Sequence, residues 1–311
     1  MSMRLEMLQV AHLAPKLLGE STELVRAFLL REQNPDGGFK DRSGRSDLYY
    51  TVFGIDSLIA LAVATGGRSV VAASELADRF AQATDFLMAF ADGDGLDFVH
   101  ICCLARGWGA LASRGLTRSG PAGIKKEILG RIEAFRSGDG GYNPVRGSLS
   151  GTAYGAFLAL GAYQDLKEEP ADPFGLARSL KYLESGDGAW VNERNAKLGS
   201  TNATAAAVTV LRNLSMPVNP SAGDWLLARG HPEGGFRAAP QAPMPDLLST
   251  ATALHALAGM QVSFEQVKEK CLDFVDTLWT NEGAFHGHWG DDQLDCEYTF
   301  YGLLALGHLS L

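Results

Sequence analysis

The chain has 311 residues, 46% hydrophobic and 20% charged, and its acids exceed its bases 36 to 27 for a net charge of −9. Such a chain can bury a sizeable core, which excludes wholesale disorder, and its acidic balance argues against a nucleic-acid partner. No apolar run reaches the roughly 18 residues of a membrane span, and the N-terminal segment has no signal-peptide core. The four cysteines (Cys102, Cys103, Cys271 and Cys296) form no CxxC, so reduced thiols and a cytoplasmic location are expected.

Glycine is over-represented, 36 residues, and its placement is periodic. An acidic residue, two small residues and an aromatic recur along the chain. The copies are Asp36-Gly37-Gly38-Phe39, Asp139-Gly140-Gly141-Tyr142, Asp187-Gly188-Ala189-Trp190, Glu233-Gly234-Gly235-Phe236 and Glu282-Gly283-Ala284-Phe285, with a degenerate Asp94-Gly95-Leu96. Their spacing is about 48 residues, the length of one supersecondary unit.

Ahead of each loop lies a segment with helical apolar spacing, such as Leu24, Val25, Phe28 and Leu29, or Ile128, Ile132 and Phe135. After it, past a polar stretch, comes a segment apolar almost all round. These read LYYTVFGIDSLIALAVA, TAYGAFLALGAY, ATAAAVTVL, LLSTATALHALAG and CEYTFYGLLALGHL. A helix apolar on one stripe lies at a surface and one apolar all round is buried, so each repeat predicts an outer and an inner helix. The glycines are expected to end the outer helix as left-handed C-caps. The first and last inner segments echo each other, Asp47-Leu-Tyr-Tyr50-Thr51 against Asp295-Cys-Glu-Tyr298-Thr299. Similar, uncapped ends favour closure. The expectation is an all-α fold, a closed α/α toroid of six helical hairpins forming one domain over 1–311. Its repeats run over roughly 22–66, 74–115, 124–165, 172–214, 221–260 and 264–311.

The glycine-aromatic loop, the repeat length and the D-x-x-Y-T start of the inner helices resemble the protein prenyltransferase β-subunit and squalene-cyclase repeat family. The likeness is nearest to the Rab geranylgeranyltransferase β type and spans roughly residues 22–311. It implies a central aromatic funnel that holds an isoprenoid or another apolar small molecule. It also implies a rim zinc that activates a cysteine thiol, held by an Asp, the Cys two residues later, and a His three residues after the last repeat's Asp. Here Asp246 and Asp295 are present, but Leu248 stands at the Cys position and Tyr298 at the His position. No zinc or other cofactor is therefore expected, and zinc-dependent transfer to a cysteine is not expected. The family's basic residues for a diphosphate are reduced to Arg237, and the third-repeat arginine position is Gly151. A prenyl alcohol should thus bind at least as well as a prenyl diphosphate.

Asp47, Asp97, Asp246 and Asp295 begin inner helices. N-capping is the ordinary role of such residues, and a ring of four on one rim makes them catalytic candidates. Tyr50, Phe53, His100, Tyr154, Tyr298 and Tyr301 are the candidate ligand-binding residues of the funnel mouth and wall. Cys102-Cys103 reads as core. His286, His288, Asp291 and Asp292 read as a solvated loop rather than a metal site, since their spacing fits no zinc motif. Two further functions stay open. One is a noncatalytic scaffold that binds a protein, possibly a second copy of this chain. The other is a divergent terpene-cyclase-like enzyme, although the Asp-x-Asp-Asp acid motif of that class is absent: the sequence has only Asp92-Gly-Asp94 and Asp291-Asp292.

Overall fold

The computed structural model describes residues 2–62, 70–113 and 123–311. The ends at 66 and 115 expected for the first two repeats lie outside these residues. The N-terminal α1 (Met3–Ala11) and the short α2 (Pro15–Leu18) precede the repeats. Outer helices are α3 (Thr22–Glu32), α5 (Val70–Met88), α7 (Ile124–Glu133), α9 (Pro173–Lys181), α11 (Ser221–Leu227) and α13 (Glu265–Leu278). Inner helices are α4 (Leu48–Ala62), α6 (Phe98–Ala112), α8 (Ala153–Asp165), α10 (Thr201–Asn213), α12 (Leu247–Gly259) and α14 (Cys296–Leu309). Each inner helix packs against the next, and α14 packs against α4. The fold is a closed α/α toroid.

All six inner helices start alike. A side-chain oxygen accepts from the backbone N–H three residues on: Asp47 from Tyr50, Asp97 from His100, Thr152 from Gly155, Ser200 from Ala203, Asp246 from Ser249 and Asp295 from Tyr298. The cap satisfies an N–H that no helical carbonyl reaches.

The glycine loops do not cap the outer helices. In the first repeat α3 ends at Glu32 and Gln33 is extended, with the turn at Gly37 lying beyond it. The loop is a tight hairpin whose ends meet as Gln33↔Phe39, and the same bridge recurs as Arg136↔Tyr142, Glu184↔Trp190, Gly230↔Phe236 and Trp279↔Phe285. In the first repeat it extends into a ribbon of β1 (Phe39–Lys40) and β2 (Ser46–Asp47). The first glycine takes positive φ, +90° at Gly37 and +91° at Gly283, because it abuts the next outer helix. A Cβ on Gly37 would lie 1.9 Å from the Gln82 carbonyl oxygen of α5. A Cβ on Gly283 would lie 2.1 Å from the Leu24 carbonyl oxygen of α3, so the last loop docks on the first helix and closes the outer layer. The aromatics that follow are fully buried between the layers. Gly54 and Gly302 make room for them: a Cβ there would meet the Phe39 or Phe285 ring at 2.2 or 2.4 Å.

The helix α1 lies outside the repeat pattern and closes one end of the ring, where it packs against α4, α8 and α14. Its backbone N–H at Met3 donates to Gln164 Oε1 at 2.8 Å, near the C-terminal end of α8. The Val10 carbonyl oxygen would sit 2.0 Å from a Cβ on Gly307, near the end of α14. The capped N-termini are left as the opposite rim.

Candidate functional site

A cavity of about 300 Å³ occupies the middle of the ring. Its walls repeat with helical spacing from each cap. The second residue past the cap supplies Tyr49, Tyr154, Asn202, Leu248 and Glu297 at the upper level. One turn deeper come Phe53, Phe157, Ala205, Ala206, Thr252, Phe300 and Tyr301, and below them Arg106, Thr209, His255 and Leu304. Successive turns of one helix face present such residues to the same side. Met7 of α1 also lines this space. A smaller recess of about 60 Å³ continues toward Met3, Arg4, Cys102, Cys103 and Asp165.

Among the candidate binding residues, Phe53, Tyr154 and Tyr301 line the cavity. Tyr50 and His100 lie on the outer rim, in an open depression with Arg42, Arg45, Asp47 and Asp97. Tyr298 lies off the cavity wall, because the Arg42 guanidinium stacks over its ring at 5.4 Å and Gly287 packs against it. Burial first, then the nearby carboxylates, pushes the Tyr298 hydroxyl up to about 12.

The four rim aspartates are all helix caps, and three also hold cations. His100 stands between two of them, with Nε2 3.0 Å from Asp47 and Nδ1 2.8 Å from Asp97. The bond to Asp47 leads in pushing the imidazole up to about 9, against the effect of burial. Burial works upward on Asp47 and Asp97, but their bonds with His100 and the backbone hold both below the usual carboxylate range. Asp295 accepts from Arg42 Nε at 2.9 Å, and Arg42 also reaches Asp291 at 3.0 Å. Among the described residues the Asp246 carboxyl accepts only from Ser249, from its N–H at 2.7 Å and its hydroxyl at 2.7 Å, and burial raises it.

These residues do not suit the zinc of the prenyltransferases. Leu248 faces the cavity and Tyr298 is engaged by Arg42. Among the described residues no three His, Cys, Asp or Glu side chains converge on a metal-sized point. In the His286–Asp292 loop the His286, His288 and Asp291 side chains bind nearby backbone and Arg42, and Trp289 Nε1 donates to the Thr277 hydroxyl. The thiols of Cys102 and Cys103 are buried, which pushes Cys103 up to about 12 and leaves it protonated.

Sequence reasoning did not single out Tyr49, Arg106 or Glu297. Glu297 is the carboxyl of the cavity wall. Burial, opposed by a 2.6 Å bond from the Tyr49 hydroxyl to Oε1, pushes it up to about 7. Arg106 pairs with Asp56 at 2.8 and 2.7 Å and lies over the Phe53 and Phe300 rings at 4.9 and 5.6 Å. Asp56 and Asp165 in turn hold Arg4 of α1, at 3.4 and 2.8 Å. The available signal was a charged residue inside an otherwise apolar inner helix: Asp56, Arg106, Asp165 and Glu297 are such residues.

The prenyltransferase alpha-alpha toroid domain model matches residues 5–84 and 203–310. The chain belongs to this family. The toroid resembles the solved type II terpene cyclase MstE from Scytonema, with a TM-score of 0.61 and 14% identity over 94% of this chain and 97% of that one. A variant of that cyclase, equally similar in fold, was solved with geranylgeranyl dihydroxybenzoate as substrate. A protein from Actinoplanes matches at a TM-score of 0.59 and 14% identity, over 93% of this chain and 98% of that one. No curated protein matches this chain. At such identity the likeness concerns the toroid alone, and activity has to be argued from the cavity.

Proposed function

We propose that this prenyltransferase-family toroid binds an isoprenoid chain in its aromatic cavity and protonates one of its alkenes, with Glu297 as the acid. The observation that carries the reading is a carboxyl pushed up to about 7 on the wall of an otherwise largely apolar, aromatic cavity. Tyr49 donates to Oε1, which leaves Oε2 to carry the proton. The proton moves from Oε2 to an alkene carbon, and the π electrons form the new C–H bond. The neighbouring carbon becomes a cation, which a further alkene of the same chain closes upon. A proton lost from the carbon beside the final cation restores a double bond and returns to the Glu297 carboxylate or to water. The product is an isomer of the substrate. Tyr49, Tyr154 and Phe157 line the cavity with aromatic rings whose π systems suit a passing cation, whereas Phe53 and Phe300 already lie under Arg106.

This reading uses no metal and no cysteine acceptor, in keeping with Leu248, Tyr298 and the protonated thiols. The MstE cyclase, whose substrate carries a geranylgeranyl chain, supports the substrate class. Turnover of a polyprenyl substrate in D₂O is the test. One deuterium should enter the product at the protonated carbon, and Glu297→Gln should abolish incorporation while ligand still binds. Product without deuterium, or a fully active Glu297→Gln, would overturn the proposal.

A further inference from the structure

A guanidinium inside an aromatic cavity is costly unless something uses it. Arg106 is paired on one edge only: Nε donates to an Asp56 oxygen at 2.8 Å, while Nη2 lies 2.7 Å from the same oxygen yet is buried without a hydrogen bond of its own among the described residues. Its Nη1 has no hydrogen-bond partner among the described residues. The side chain lines both the central cavity and the deeper recess, and keeps 16% of its surface. Glu297 stands seven residues nearer the cap in the register of the inner helices. At 1.5 Å per residue the two groups are separated by about 10 Å along the ring axis. The cavity thus has the open guanidinium edge deep inside, at the level of the neutral His255, and an acid at its mouth, joined by a wall of rings and small side chains with Asn202, Thr209 and Thr252 among them.

We infer that Arg106 anchors the head group of the ligand, and that this head is a carboxylate: the substrate class is a prenyl-chain carboxylic acid, bound head inward with its alkenes toward Glu297. A guanidinium edge matches a carboxylate in shape and charge. The network holds two arginines, Arg4 and Arg106, against two aspartates, Asp56 and Asp165. One further negative charge can be met by the open edge of Arg106, whereas the several charges of a diphosphate would stand beside two carboxylates with no further cation. A hydrocarbon would leave Nη1 without an acceptor, and a prenyl alcohol would offer a single neutral oxygen, without the second oxygen and the charge that a carboxylate brings to the fork.

The inference takes the prenyl chain from the proposed function and adds the head group and orientation. Calorimetric titration of the purified protein with geranylgeranoic acid, geranylgeraniol and geranylgeranyl diphosphate tests it. The acid should bind tightest, by about tenfold or more, the worth of one hydrogen bond to a charged group. Arg106→Met should remove that advantage and change the alcohol's affinity little. Arg106→Lys keeps the charge without the fork and guards against misfolding of the methionine variant; it should lose part of the advantage. Thermal melts of both variants establish that they are folded. Equal binding of acid and alcohol by the unaltered protein, or equal loss of both in the variants, would overturn the inference. Deuterium incorporation separates the two ideas: tight, Arg106-dependent binding without alkene protonation by the unaltered protein would sink the acid role of Glu297 and leave the anchor standing.

Discussion

Glu297 and His100 lie two and three residues past their helix caps, yet their surroundings push them to opposite uses. Glu297 is pushed up to about 7 by burial, so its proton is available at neutral pH and is withdrawn as pH rises. If it is the acid, kcat/KM should fall through about pH 7 on the alkaline side. Tyr49→Phe removes the bond to Oε1, so it should shift that limb upward and lower the rate. A pH–rate profile of both proteins checks this. His100 is pushed up to about 9 by its two aspartates. Its folded value lies above its unfolded value, so its contribution is complete below about pH 6.5 and is lost as pH rises through about 9. With a third of the side chain exposed, that contribution is about 1 kcal/mol. The melting temperature should decline between pH 7 and 10, and His100→Gln should flatten that decline.

At the scale of the element, the repeat is held by caps and by close backbone approach. Asp246 makes the cap of α12 without a cation, so Asp246→Ala isolates capping and should cost about 1 kcal/mol by urea unfolding. The loop glycines are sterically committed. Gly283→Ala meets both a positive φ and the Leu24 carbonyl at 2.1 Å, and should cost about 3 kcal/mol. Gly44 has φ +83° but open space around its Cβ position, so Gly44→Ala should cost only about 1 kcal/mol. Nearly equal effects of the two substitutions would mean that inter-repeat contact contributes little.

The whole molecule is a ring with one stoppered end. Arg4 of α1 crosses to Asp56 of α4 and Asp165 of α8, with almost no solvent contact. Burial pushes Asp165 up to about 6 even with two arginines nearby. Arg4→Ala leaves buried carboxylates short of a partner and should cost about 3–5 kcal/mol, read as a lowered melting temperature. It should also loosen the cavity floor at Met3 and Met7, so apolar ligand binding should weaken in the same variant.

How far the sequence reaches follows from the range of each interaction. Helix type, helix order and cap residues are local: a 3.6-residue pattern and an Asp, Ser or Thr before it act within one or two turns, so they were legible at Asp47, Asp97, Asp246 and Asp295. Closure was legible too, because two similar ends leave matching faces, and α14 meets α4. Nothing local says that Gly37 serves the neighbouring helix rather than its own, since its constraint is a carbonyl from another repeat. The same holds for α1, whose partners lie about 50 to 300 residues away in sequence. The cavity chemistry depended most on tertiary structure. Glu297 is an ordinary glutamate until the ring surrounds it with Tyr49, Phe300 and Tyr301, and Arg106 is an ordinary arginine until Asp56 occupies one edge and the cavity faces the other. Burial and charge pairing are properties of the assembled ring, and they alone set the proton affinity of one group and leave the other's donors free.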